Sequence, residues 1–114
     1  GSSAGLGHVA GGGYRARHVV NDLLELWQRH KGAGWPVFSD PNQGELMTLD
    51  TVISGCVTYY LDSAEGLDPQ RVVMVEDCLA DLNGLLPDLT DEAADYFERV
   101  RTLACLLLAA SSRR

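Results

Sequence analysis

Apolar residues spaced three and four positions apart constrain the fold of this chain more than any other feature. The clearest case follows Asp68 and Pro69, where Asp68 is a favoured N-cap and Pro69 suits the first helical position. The apolar residues of this stretch are Val72, Val75, Leu79, Leu82 and Leu86. Their spacing is that of one helix face, so it predicts an amphipathic helix packed against other helices.

The same spacing predicts three further helices, at about Tyr14–Lys31, at about Leu49–Ser63 and after Thr90. The second of these is rich in β-branched residues and tyrosine, as strands are. Its apolar residues nevertheless step by three and four rather than by two, which favours a helix. Short connections make helices 2, 3 and 4 antiparallel neighbours. We therefore predict an all-α fold, an up-down four-helix bundle with a long loop between helices 1 and 2.

The chain length of 114 residues fits one domain, which we expect to span residues 14–112. Residues 1–13 are rich in glycine, serine and alanine and predict a flexible tail or a remnant left by cleavage. No apolar run approaches the roughly 18–20 residues that a membrane-spanning helix needs. The sequence thus predicts no membrane partner.

The predicted loop at residues 32–47 is long for so small a domain, and it holds Trp35 and Phe38. Proline, glycine and the turn sequence Asp40–Gly44 break helical structure there. The two aromatic side chains either cap the open end of the bundle or contact a partner, because aromatic residues are common at binding hot spots.

The net charge of −7 is unevenly distributed. Between Asp62 and Glu98 there are eleven acidic residues and one basic residue, Arg71. This excess disfavours nucleic acid and favours a protein partner with a basic surface, although acids also simply solvate outer helix faces. The candidate partner-binding residues are Trp35, Phe38, Glu76, Asp77, Asp81, Asp91, Glu92 and Asp95.

The residue types that support catalysis or metal binding form no recognised pattern. Cys56, Cys78 and Cys105 include no C-x-x-C pair, which predicts reduced thiols in a cytoplasmic protein. His18, Asp22 and Glu25 share a helix face but are expected to be solvated rather than to bind a metal. The remaining histidines, His8 in the predicted tail and His30 at a helix end, are poorly placed for a rigid catalytic group. We expect no cofactor and no metal.

Three hypotheses for function remain. The first is a non-catalytic protein–protein interaction domain, such as a small acidic inhibitor, an immunity-type protein or a regulatory partner. The second is a small-ligand-binding or enzymatic bundle, with a pocket under the 32–47 loop lined by Trp35, Cys56, Tyr59 and Tyr60. The third is a homodimer, since helix 4 is apolar nearly all round beyond Leu103, with Leu103, Leu106 and Leu108 as candidate dimer contacts.

Overall fold

Four α-helices dominate the computed structural model, which describes residues 8–36, 38–63 and 66–111, with side chains from residue 18 onward. The helices are α1 (His8–Gly32), α2 (Gln43–Asp62), α3 (Pro69–Leu85) and α4 (Asp91–Ser111), with a 3₁₀ turn at Leu86–Asp88. These described ranges contain no strand. The predicted all-α bundle is therefore confirmed. No helix in the described ranges is long and apolar enough to cross a membrane.

The starts of α3 and α4 agree with the sequence. The Asp68 side chain accepts a hydrogen bond from the Arg71 backbone N–H at 2.8 Å, as an N-cap does, and Pro69 is the first helical residue. Helix α4 begins at Asp91, directly after Thr90. At α3 the start depends on local side-chain chemistry, which can be read from the sequence.

Helices α1 and α2 begin earlier than predicted. Residues 8–13 are helical rather than part of a tail, and residues 1–7 lie outside the described part of the chain. Helix α2 begins at Gln43 rather than near Leu49, after a turn in which Asp40 Oδ1 accepts from the Asn42 N–H at 2.7 Å. The α1–α2 segment is thus residues 33–42, shorter than the predicted loop.

The early start of α2 corrects the interpretation of Gly44 as a helix breaker. A glycine inside a helix costs about 1 kcal/mol. The first turns of α2 bury Leu46 completely, which is worth about 2 kcal/mol and offsets that cost.

Helix α4 is the central element of the bundle, because it packs against α1, α2 and α3, while α2 also packs against α3. This placement explains why its last turns are apolar nearly all round. Leu103 is completely buried inside the chain and is not available as a dimer contact, which corrects that assignment. Leu106 and Leu108 are half-buried against the same core. The apolar end of α4 therefore does not require a second chain.

Gly66, in the connection before α3, has a backbone conformation that side chains disfavour. Its φ is +78°, and an added Cβ would lie 3.3 Å from Tyr60 Cε1. We expect Gly66→Ala to lower the free energy of unfolding by about 1–2 kcal/mol, measured by urea denaturation. Gly84→Ala is the matched control, because Gly84 lies in α3 with open space around it; this change should stabilise the protein by up to about 1 kcal/mol. Equal stability of the two variants would contradict the prediction.

Candidate functional site

A buried histidine near the end of α1 is the centre of a polar network. His30 is only 6% exposed, and its Nε2 lies 3.0 Å from Asp50 Oδ1 of α2. Its Nδ1 lies 3.1 Å from Arg99 Nε of α4. Because the arginine Nε–H can only donate, Nδ1 carries the lone pair and Nε2 carries the proton donated to Asp50. The two partners therefore fix His30 as the neutral Nε2–H tautomer.

Asp50 is the common acceptor of this network. Besides His30, its carboxylate accepts hydrogen bonds from Tyr96 Oη at 2.7 Å and from Ser54 Oγ at 3.3 Å. Burial alone would raise the pKa of the Asp50 carboxyl, but the hydrogen bonds from His30 and Tyr96 outweigh it and the pKa is lowered. Burial, together with the hydrogen bond to Asp50, raises the pKa of the Tyr96 hydroxyl. Asp50 is thus the charged acceptor and Tyr96 a neutral donor.

We call His30, Asp50, Tyr96 and Arg99 the His30 network. It joins α1, α2 and α4 at one end of the bundle. An aspartate–histidine pair also occurs in catalytic triads, where the second ring nitrogen contacts a nucleophile. In this protein the second ring nitrogen of His30 accepts a hydrogen bond from the Arg99 guanidinium, which cannot act as a nucleophile, and the ring is buried. The arrangement therefore acts as a tie between helices and not as a nucleophile–base pair.

The α1–α2 segment lies against this network through Trp35. The Trp35 ring centroid is 5.3 Å from that of Tyr96 and 5.6 Å from that of Phe97, both in edge-to-face geometry. Phe38 packs beside it, 6.0 Å from Trp35 and 6.1 Å from Phe97. Phe97 is completely buried, whereas Trp35 remains 39% exposed. Trp35 is therefore held in place on one side and open to solvent on the other.

An open groove of about 410 Å³ lies beside the exposed side of Trp35. We call it the Trp35 groove; its lining residues are Gly34, Trp35, Pro36, Glu92, Asp95, Tyr96 and Arg99. Glu92 and Asp95 are exposed, one turn apart on α4, and neither takes part in an ion pair with another described residue. The Nε of Arg99 donates its hydrogen bond to His30. The groove thus combines an aromatic ring with two exposed carboxylates.

The structure brings together only some of the predicted partner-binding residues. Trp35, Glu92 and Asp95 share the groove. Phe38 is half-buried against the core beside it, and Asp91 is exposed at the start of α4 with a φ of +53°. The other three acids are exposed on α3 and do not line the groove; they are Glu76, Asp77 and Asp81.

Of the four residues predicted to line a pocket under the loop, only Trp35 lines the groove, and the other three lie elsewhere. Cys56 is buried in the core between helices. The Arg71 guanidinium covers the Tyr59 ring at 3.8 Å from its centroid, and Tyr60 contacts the Gly66 region. None of the three lines the Trp35 groove. The cavity beside the α1–α2 segment is therefore formed with α4 and not with α2.

The three cysteines differ in exposure: Cys56 is buried, Cys78 half-buried and Cys105 exposed. Burial raises the pKa of the Cys56 and Cys78 thiols, which disfavours the reactive thiolate. His18, Asp22 and Glu25 are exposed on α1. In the described part of the chain, no three His, Cys, Asp or Glu side chains form a group that could hold a metal ion.

The His30 network was not predicted from the sequence, where His30 stands out only as a histidine at a helix end. A signal for Asp50 was present in the spacing. Asp50 falls four residues after Leu46 and three before Ile53, and both of these are buried. A carboxylate on the apolar stripe of a helix needs a buried partner.

Comparison with protein-family models, curated proteins and solved structures finds no match for this chain.

Proposed function

We propose that this protein is a non-catalytic interaction domain that binds a protein partner through the Trp35 groove. The observation that carries the proposal is the exposed Trp35 ring, held by Tyr96 and Phe97 beside the exposed carboxylates of Glu92 and Asp95. Aromatic rings held rigidly at the surface are typical binding hot spots, because little side-chain entropy is lost when a partner packs on them.

The chemistry of the groove favours a partner segment that carries arginine. A guanidinium stacks on the face of tryptophan and donates hydrogen bonds to carboxylates at the same time. The net charge of −7 would also accelerate the encounter with a basic surface. A small acidic inhibitor or regulatory subunit of a basic protein fits this description. Three free cysteines support a reducing compartment, such as the cytoplasm.

The test uses tetra-arginine amide as a probe for such a segment. The two tryptophans give two indole N–H signals in ¹H–¹⁵N spectra, and Trp27→Phe assigns them. We expect the Trp35 signal to shift saturably with tetra-arginine and less with tetra-lysine, since lysine stacks less well. Added salt should weaken binding. Absence of a saturable Trp35 shift would overturn the proposal.

Two double variants separate a local site from the overall charge. Glu92→Gln/Asp95→Asn removes both carboxylates of the groove and should weaken binding of tetra-arginine by about tenfold, for two charge-assisted contacts of about 0.7 kcal/mol each. Glu76→Gln/Asp77→Asn removes the same charge from the exposed face of α3 and should leave binding nearly unchanged. An equal loss in both variants would show that only net charge matters and would contradict a site at the groove.

A further inference from the structure

His30 holds Arg99 through a nitrogen that can be protonated. The hydrogen bond from Arg99 Nε to His30 Nδ1, 3.1 Å long, exists only while Nδ1 carries a lone pair. Histidine is the side chain that ordinarily changes charge between about pH 5 and pH 8. The contact between α1 and the Arg99 side chain therefore depends on a proton.

The groups around the ring determine which contact breaks when that proton binds. From α2, Asp50 faces Nε2 and bears a negative charge, so its hydrogen bond to the ring is kept and strengthened in the imidazolium form. From α4, Tyr96 lies with its ring 4.8 Å away, and Arg99 faces Nδ1. Once Nδ1 is protonated, the His30 ring and the Arg99 guanidinium are both hydrogen-bond donors at this contact. Both also carry a positive charge, so they repel each other. Arg99 is thus the partner that is displaced.

Arg99 also lines the Trp35 groove, so its displacement changes the site proposed above. Asp95 lies one turn before Arg99 on α4, the spacing at which an acidic and a basic side chain pair on a helix surface. We propose that protonation of His30 releases Arg99 into the Trp35 groove, where it pairs with Asp95 and lowers affinity for a basic partner. The site would bind at neutral pH and release on mild acidification. This inference rests on the proposed function for its effect on binding, but the release of Arg99 stands independently.

The release is tested without any partner. The ring nitrogens of His30 and the Arg99 Nε–H are followed in ¹H–¹⁵N spectra from about pH 8 to about pH 5.5, the range in which histidine ordinarily titrates. We expect Nδ1 to gain a proton and the Arg99 signal to move with the same midpoint. If Nδ1 stays unprotonated throughout, or if the Arg99 signal does not follow it, the proposal is overturned.

The effect on the groove is tested with tetra-arginine, whose own charge does not change over this range. The dissociation constant of tetra-arginine should rise about threefold on acidification of the wild type. This is the effect expected when one exposed ion pair, between Arg99 and Asp95, competes with the peptide for Asp95. Arg99→Gln keeps a donor for Nδ1 but no charge, and its dissociation constant should not depend on pH. Arg99→Lys keeps the charge and should retain the dependence.

The two proposals fail in different ways. Equal pH dependence in the wild type and in Arg99→Gln would overturn the link between His30 and the groove. Failure of tetra-arginine to bind at either pH would overturn the proposed function, while the spectra would still decide whether Arg99 is released.

Discussion

Replacing Phe97 with alanine is expected to lower the free energy of unfolding by about 3–5 kcal/mol, the usual cost of deleting a buried aromatic ring. Phe97 is completely buried in α4 and packs against Trp35, Phe38 and Tyr96. The change leaves a cavity in the core and removes the surface on which the α1–α2 segment rests. Such a loss is a large part of the total stability of a small domain, about 5–15 kcal/mol.

Urea denaturation measures this prediction, with Phe38→Ala as the matched control. Phe38 undergoes the same chemical change at a half-buried position, so the expected cost is smaller, about 1–2 kcal/mol. If Phe97→Ala is too unstable to study, Phe97→Leu keeps most of the volume and should cost about 1–1.5 kcal/mol. A cost for Phe97→Ala no greater than that for Phe38→Ala would show that the ring is not part of the core.

The second large effect is expected at Asp50. Asp50→Ala removes the acceptor of His30 Nε2–H and of the Tyr96 hydroxyl and leaves both donors without their partner. Because both buried donors lose their acceptor, the free energy of unfolding should fall by about 2–4 kcal/mol. Asp62→Ala, at the exposed end of the same helix, should change stability by less than about 0.5 kcal/mol. A double-mutant cycle with Tyr96→Phe should show coupling between the two positions, since they share a hydrogen bond.

The contribution of Asp50 should also depend on pH. The pKa of its carboxyl is lower in the folded protein than in the unfolded chain, where aspartate has a pKa of about 3.9. The stabilisation is therefore complete above about pH 4 and is lost as the pH falls through the lower folded pKa. The difference in unfolding free energy between the wild type and Asp50→Ala should accordingly shrink below about pH 4. A difference that stays constant down to pH 2 would contradict the assignment of Asp50 as a charged acceptor.

Local chemistry explains which parts of the fold could be predicted. The start of α3 depends on the side chain of Asp68 and the ring of Pro69, and the start of α4 follows Thr90 directly. These signals act within one helical turn, so a single sequence contains them. The start of α2 depends instead on Leu46 reaching a core formed with distant helices. Gly44, the second residue of α2, suggests the end of helical structure when only its neighbours along the chain are considered.

The candidate site likewise includes residues that the sequence alone could predict and contacts that depend on residues far apart along the chain. The sequence alone identified Trp35, Glu92 and Asp95 as candidates, because an aromatic residue in a loop and acids in a first helical turn are visible as residue types. It did not show that they share a groove, since Trp35 and Asp95 are far apart along the chain. His30 and Asp50 were missed because a buried polar residue is recognised by its partners, and Arg99 is 69 positions from His30.

The sequence by itself determined that this chain is a helical bundle, because the spacing of apolar residues fixes which face of each helix avoids water. The tertiary structure alone decided that α4 is central and that its apolar end is covered by the same chain. It also decided that one buried histidine ties three helices together beside an open groove. Helix periodicity acts over a few residues, whereas the pairing of His30 with Asp50 and Arg99 exists only once the helices have packed.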